Sequence, residues 1–403
     1  MRVLYLHMIG AYGGASRSLL EMVRAMPPGE VEPFFLLPKG SAAAQFRTIT
    51  ERVIEVRGMT QIDNTRYSHY RGLRWLVIIR ELAYLPSTII GLLKARKRWG
   101  NVDLIHVNEF TGVVPWLLAR LLFSAPVVVH VRSLARQDVG SLRTRWMNQL
   151  FSKYADAIIA IDENVRSTLP AHLPVSVIHN SFTMSNCVED VLLNKVFQKL
   201  TPNSFKVGFV GNLLRVKGLF DLVEAARILQ SKELNVEFIV VGGSASSNQS
   251  RFRQWTLKKL GLLQDVQKDV MEAVLKSQLS DQFHFIDFTY DIQSVYKKMN
   301  VLCFPSHYDA PGRPIFEAAF YGVPSIVAVL APRADTLING VTGLAIPPRN
   351  PAKLAEAIQT MVLDPGSCER MGMKARELAI KNFSVYENVQ RLLDVYRHCL
   401  EQR

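Results

Sequence analysis

Two carboxylates in the segment PSHYDAPGRPIFEAAFYGVP (305–324), Asp309 and Glu317, are the residues of this chain whose types and spacing best suit chemistry. Ionised carboxylates only accept hydrogen bonds, so a pair like this can receive the protons of sugar or ribose hydroxyls. Gly312 and Pro314 fit a helix start, and the N–H groups near Pro311 to Ile315 would then meet an anion at the positive end of a helix dipole. A carboxylate in a helix's first turn is also ordinary dipole capping, so Glu317 has a purely structural alternative.

Cations come from a second segment. GNLLRVKG (211–218) places Arg215 and Lys217 just ahead of a helical stretch that runs to about Gln230. Arginine binds a diphosphate bidentately and lysine as a point charge, although either residue can equally be a solvated surface group. Gly13 and Gly14 follow the apolar run VLYLH (3–7) and precede a helix at Ser16, where a glycine pair lets phosphate oxygens approach backbone N–H groups. Their spacing matches neither the Gly-x-Gly-x-x-Gly fingerprint nor a P-loop, which removes the main support for a dehydrogenase or an NTPase. His130 and Arg132 close the run PVVVHV (126–131); a histidine there is either a reacting group or a piece of the core.

The elements that must position these residues are legible as a rhythm. Short β-branched and aromatic runs recur at 3–7, 33–38, 102–107, 126–131, 156–161 and 175–180, with helical periodicity between most of them. The rhythm breaks over Thr183 to Ser204 and resumes at 206–211, 236–243, 283–288, 301–306, 324–329 and 342–347. This predicts an α/β protein with two tandem Rossmann-like domains, their functional loops at the carboxyl ends of the strands and facing a central cleft. The expected boundaries are 1–182 for the first domain, 183–204 for a linker and 205–383 for the second domain. An amphipathic helix over 384–403 should close against one or both. The stretch Ser244 to Gln282 is long for a connection and predicts more than one helix.

Length and composition agree. At 403 residues the chain exceeds one ordinary domain, and 48% hydrophobic with 21% charged residues is a globular composition. Cys187, Cys303, Cys368 and Cys399 are far apart, form no Cys-x-x-Cys pair and read as reduced cytoplasmic thiols. The amino-terminal run is broken by Arg2 and His7 and reads as a strand, not as a signal peptide. The most apolar region, Trp75 to Leu93, is interrupted by Arg80, Glu81 and Pro86 and falls short of the roughly 18–20 apolar residues of a spanning helix. Net charge is +13, concentrated between Arg66 and Arg98, where Glu81 is the sole acidic residue. Such a face suits nucleic acid, anionic lipid or a phosphorylated substrate. Its aromatics, Tyr67, Tyr70, Trp75 and Tyr84, sit in apolar helical sequence and not on a base-stacking platform, which favours peripheral contact of 66–100 with an anionic membrane, at the inner face, over nucleic acid.

Taken together the motifs resemble the retaining nucleotide-sugar glycosyltransferases of the GT-B fold, family four. The resemblance spans nearly the whole chain through YGGASRSLLEMV (12–23), VVVHV (127–131), VGNLLRVKG (210–218), SHYDAPGRPIFEAAFYGVPSI (306–326) and DTLINGVTGLAIPPRNPAKLAEAI (335–358). The fourth is the most specific, since the family's donor motif is an acidic residue, seven residues, a glutamate, an alanine-rich helix and Gly-x-Pro. The resemblance implies that Glu317 holds the ribose, Asp309 the transferred sugar, Lys217 the diphosphate, and Gly13 and Gly14 admit the diphosphate by main-chain contact. It places His130 near the reacting carbon, and makes Gly312 and Arg313 part of the donor loop. Asn212 stands where many members carry arginine, and Arg215 is expected to supply that charge. Asp309 replaces the family's usual glutamate and is shorter by roughly 1.5 Å, so the identity of the sugar is expected to depend on it.

The implied reaction moves a hexose-type sugar from a nucleotide-diphosphate donor to a glycan or lipid-linked acceptor, as in polysaccharide or lipopolysaccharide assembly. No cofactor is expected, and the sequence has no Asp-x-Asp or metal-spaced His/Cys cluster, so catalysis is expected to be metal-independent. Two alternatives stay open at this point: an epimerase or phosphorylase of the same architecture, and a basic nucleic-acid-binding protein.

Overall fold

In the computed structural model, which describes residues 1–68, 70, 75–138, 140–184, 190–243, 266–289 and 291–402, the apolar runs of the first half fold as strands. These are β1 (Arg2–Leu6), β2 (Glu32–Pro38), β3 (Val53–Val56), β4 (Leu104–Val107), β5 (Val127–Val131), β6 (Ala157–Ala160) and β7 (Val175–Val177). They pair in parallel in the order β3-β2-β1-β4-β5-β6-β7. Every residue of β4 and β5 is buried, the pattern of parallel strands covered on both faces. β3 is absent from the sequence expectation. It is a four-residue edge strand with a charge in it, Glu55, which pairs with Arg47 at 2.6 Å, and so carries little hydrophobic periodicity.

The second half repeats the arrangement with β8 (Phe205–Val210), β9 (Val236–Val241), β10 (Phe283–Ile286), β11 (Val301–Phe304), β12 (Ser325–Ala328) and β13 (Gly343–Ile346). Their order is β10-β9-β8-β11-β12-β13, again parallel throughout. Each sheet therefore reverses its strand order once, between β1 and β4 and between β8 and β11. Connections on the two sides of such a point depart to opposite faces, which opens a crevice beyond the carboxyl ends of the strands.

The chain divides into two units, Met1–Thr183 with Phe383–Arg403, and Met184–Asn382. The stretch expected as a linker is mostly a working part of the second unit. It carries the helix Val191–Phe197, and Leu193 is buried among Ile239, Val241 and Tyr296. Of the Ser244 to Gln282 stretch, the helix Val266–Lys276 is described and 244–265 lie outside the described residues, as does Cys187. The final helix, Val385–Glu401, packs on the first unit, where Leu392, Leu393 and Tyr396 join Val3, Tyr5, Leu104 and Val128 in one core. Among the described residues no helix is long and apolar enough to cross a membrane.

Three histidines are buried at or near the carboxyl ends of β1, β4 and β5. The Asn108 amide donates to Nδ1 of His7 at 2.8 Å, the Tyr396 hydroxyl lies 2.7 Å from Nδ1 of His106, and the Arg132 guanidinium lies 3.3 Å from Nδ1 of His130. Burial, with the Arg132 charge nearby, disfavours the imidazolium. His7 and His106 are pushed down to about 3, and His130 is held well below the ordinary histidine value.

These rings stay neutral in the folded protein near neutral pH, while in the unfolded chain they take up a second proton below about pH 6.5. Their contribution to stability is thus complete above that pH and is lost as pH falls from there toward 3, each ring adding a slope of about 1.4 kcal/mol per pH unit. Urea unfolding midpoints should fall clearly between about pH 7 and about pH 5. A midpoint that stays flat or rises would mean the rings are charged in the folded protein.

Candidate functional site

The switch point of the second unit gathers most of the residues expected to handle a donor. The loop leaving β8 ends in the 3-10 turn Arg215–Lys217, followed by the helix Leu219–Gln230; the loop leaving β11 ends at Gly312, followed by the helix Arg313–Phe320. The two loops are stitched to one another. The His307 N–H donates to the Val216 carbonyl at 2.8 Å, and the His307 ring lies 2.9 Å from the Asp221 carboxylate. At Gly218 φ is +76°, and a Cβ would sit 1.9 Å from the Pro305 carbonyl oxygen, so only glycine permits this approach.

Lys217 is the consequence of that stitching. Its ammonium lies 5.2 Å from the centroid of the Phe304 ring and 5.7 Å from that of Tyr308. Among the described residues it has no carboxylate and no hydrogen-bond partner, and desolvation lowers its pKa. Aromatic faces attract a cation only modestly, so a half-buried ammonium in this position gains strongly from any anion that reaches it.

Arg215, expected beside Lys217 on a diphosphate, turns away. It pairs with Asp269 at 2.8 Å, stacks over Phe220 and is half exposed. The expectation that it supplies the charge absent at Asn212 is not met by this geometry. Asn212 itself is exposed, and its carbonyl accepts from the Leu214 N–H.

Glu317 is buried, 3% exposed, and stands five residues into its helix, past the first turn. Dipole capping therefore does not explain its charge. Its Oε1 accepts from Arg313 Nε at 3.0 Å and Nη2 at 2.9 Å, and its Oε2 accepts from the Tyr296 hydroxyl at 2.9 Å. Arg313 thus reaches Glu317 by the i,i+4 geometry of the helix and is a partner of the carboxylate. Gly312 is the N-cap, and a Cβ there would lie 2.5 Å from the Phe304 ring, the same ring that faces Lys217. Asp309 occupies the loop in a left-handed conformation, φ +48°, and its Oδ1 accepts from the Leu330 N–H beyond β12 at 2.7 Å. Tyr296 and the Leu330 N–H were not predicted as partners of these carboxylates. Leu330 enters through a backbone N–H that any residue offers, and nothing in sequence pairs Tyr296 with Glu317.

In the first unit Gly13 is the N-cap of the helix Gly14–Arg24, its N–H donating to Ser16 Oγ at 2.9 Å, and the space where its Cβ would stand is open. His130 is fully buried in β5, and the residue that follows the strand, Arg132, is buried beside it. That guanidinium is held by the side-chain oxygens of Asn108 at 2.6 Å and Asn180 at 2.7 Å. Beside it Glu109 is buried with φ +155°, accepts from Ser133 at 2.7 Å, and has its pKa raised by burial. A strained, buried carboxylate at a switch point is a further candidate for the site. Its only sequence signal is a polar Asn108-Glu109 pair closing an apolar run.

Residues 194–378 match the family model for group 1 glycosyl transferases, and residues 13–180 match the glycosyl transferase 4-like domain. With the two Rossmann-type sheets and the acidic donor loop, these matches show that the chain belongs to the group 1 glycosyltransferases, enzymes of GT-B architecture that act on nucleotide sugars. It is similar to the D-inositol 3-phosphate glycosyltransferase of Kribbella flavida, 32% identical over 367 residues that cover 86% of this chain and 82% of that protein. It is also similar to the capsular polysaccharide biosynthesis glycosyltransferase CapM of Staphylococcus aureus, 26% identical over 298 residues, 69% of this chain and 73% of that one. Among solved structures, Anabaena HepE in complex with UDP shares the fold at a TM-score of 0.75 and 20% identity, covering 99% of this chain and 100% of that chain.

Two substitutions test the local construction. Tyr296→Phe removes a donor from a buried carboxylate and should lower unfolding stability by about 1–3 kcal/mol. Gly218→Ala should destabilise at least as much, because a left-handed residue and a backbone clash are both incurred. Unfolding midpoints equal to the wild type for both would show that the loops are not joined as described.

Proposed function

We propose that this enzyme transfers a hexose from a nucleotide-diphosphate donor, with retention of anomeric configuration and without a metal, to a hydroxyl of a glycan or lipid-linked acceptor in surface polysaccharide assembly. The observation that carries the donor part is Lys217, a half-buried ammonium at the switch point of the second unit with no carboxylate partner among the described residues. A diphosphate seated there meets Lys217 and the helix start after Gly312. Glu317, fixed by Arg313 and Tyr296, accepts from the ribose hydroxyls, and Asp309 accepts from the sugar.

Charge grows on the diphosphate as the sugar leaves. Lys217 stabilises that charge more in the transition state than in the ground state, and loss of one such donor typically lowers the rate on the order of 10²–10³-fold. The departing phosphate oxygen takes the proton of the incoming hydroxyl, so the reaction draws no base from His130. Support for a uridine donor comes from HepE, whose crystal structures hold UDP and UDP-glucose, and support for the polysaccharide role comes from the capsular CapM relative.

Product analysis by proton NMR should show the donor's anomeric configuration preserved in the new linkage; an inverted product would rule out the retaining mechanism. Donor incubated without acceptor should stay unconverted, since turnover of donor alone would indicate an epimerase. Prolonged chelation should leave the rate nearly intact, and a loss that magnesium or manganese restores would contradict metal independence.

A further inference from the structure

The helix Val77–Trp99 of the first unit carries an outward face that the sugar-transfer chemistry does not use. Its inner side is buried through Glu81, Thr88, Leu92, Ala95 and Trp99. Its outer side presents Ile79, Leu82, Ile90 and Leu93, each between 51% and 64% exposed, with Ile89 at 39%. At 100° per residue these positions and Pro86 share a sector of about 100°, and the stripe from Ile79 to Leu93 runs for about 21 Å. Just ahead of the helix Trp75 and Leu76 are also exposed, with Trp75 stacked on Tyr70. Soluble surfaces scatter exposed apolar residues singly; a continuous stripe marks an interaction face.

Charge identifies the occupant. Lys94 and Arg98 lie along one margin of the stripe and Lys97 at its end, and among the described residues none of the three has a carboxylate partner. The one acidic residue of the helix, Glu81, points inward, where it accepts from the Gln61 N–H at 2.8 Å and pairs with Arg80 at 2.6 Å. The solvent-facing side is thus apolar along its centre and cationic at its margin. A second copy of this chain docking stripe to stripe would cover the apolar centre but, with cations at only one end of the stripe, would leave Lys94, Lys97 and Arg98 without anionic partners. Anionic lipid suits both parts, because apolar side chains enter the headgroup boundary while lysine and arginine meet the phosphates.

We infer that the helix Val77–Trp99 lies in the interface of an anionic lipid bilayer through the Ile79–Leu93 stripe, with Lys94, Lys97 and Arg98 on lipid phosphates. The inference is independent of which sugar or acceptor the enzyme uses.

Flotation of the full chain with phosphatidylcholine vesicles, with and without phosphatidylglycerol, tests it. The protein should float only with the anionic vesicles, and added salt should weaken the association. Replacing Lys94, Lys97 and Arg98 with glutamine should lower the partition coefficient on the order of a hundredfold. Ile90→Ser with Leu93→Ser should lower it by a similar factor, on the order of a hundredfold. Both variants should keep the wild-type thermal shift on adding UDP, which separates failure of this inference from failure of the donor assignment. Equal failure to float with either vesicle, or undiminished flotation of the Ile90→Ser, Leu93→Ser protein, would overturn it. So would a concentration-dependent dimer without vesicle binding that the same pair of substitutions abolishes.

Discussion

An ammonium group kept half out of water, with no carboxylate beside it among the described residues, is the constraint around which the loops at the second unit's switch point are arranged. Lys217 is held between the Phe304 and Tyr308 rings because the two loops that carry these residues cannot move apart: the His307 N–H is bonded to Val216, and Gly218 lies against the Pro305 carbonyl. The same Phe304 ring presses on Gly312, where the following helix begins. One aromatic ring therefore sets both the seat of the cation and the start of the helix whose fifth residue is Glu317. Groups fixed in this way need no reorganisation to meet a developing charge, which is what the proposed donor site requires.

Both units share a single strand order, and the reversal of that order places each unit's polar residues at one end of its sheet. They use that end differently. In the second unit the polar groups at the switch point stand in loops, apart from a largely buried Glu237–His284 pair within β9 and β10. In the first unit they extend down into the sheet, with His7, His106 and His130 buried and neutral below Arg132, Asn108 and Asn180. The final helix takes part through Tyr396, so the carboxyl terminus of the chain completes the first unit's core.

Much of this was legible in the sequence, and the exceptions have physical causes. The longer parallel strands announce themselves because burial on both faces makes them nearly continuous apolar runs; β3, short and at an edge, does not. The start of the helix that carries Glu317 was legible because Gly312 as N-cap and Pro314 in the first turn are demanded by local geometry. Side-chain direction was not. Sequence placed Arg215 and Lys217 together, yet Asp269, remote in sequence, draws one away and leaves the other. His130 and Arg132 were both visible at the end of β5, but that both are buried, with the guanidinium held by Asn108 and Asn180, follows from residues remote in sequence. The polar stretch 183–204 carries a helix because Leu193 finds a core in three dimensions that its composition conceals.

The central claim is that Lys217, and not Arg215, receives the donor's diphosphate. Calorimetric titration of UDP into the wild type, Lys217→Met and Arg215→Met measures it directly. The account predicts that Lys217→Met loses about 1.5–3 kcal/mol of binding, the worth of a charged hydrogen bond, while Arg215→Met binds nearly as the wild type does. Equal affinity of Lys217→Met and wild type, or a loss confined to Arg215→Met, would contradict it.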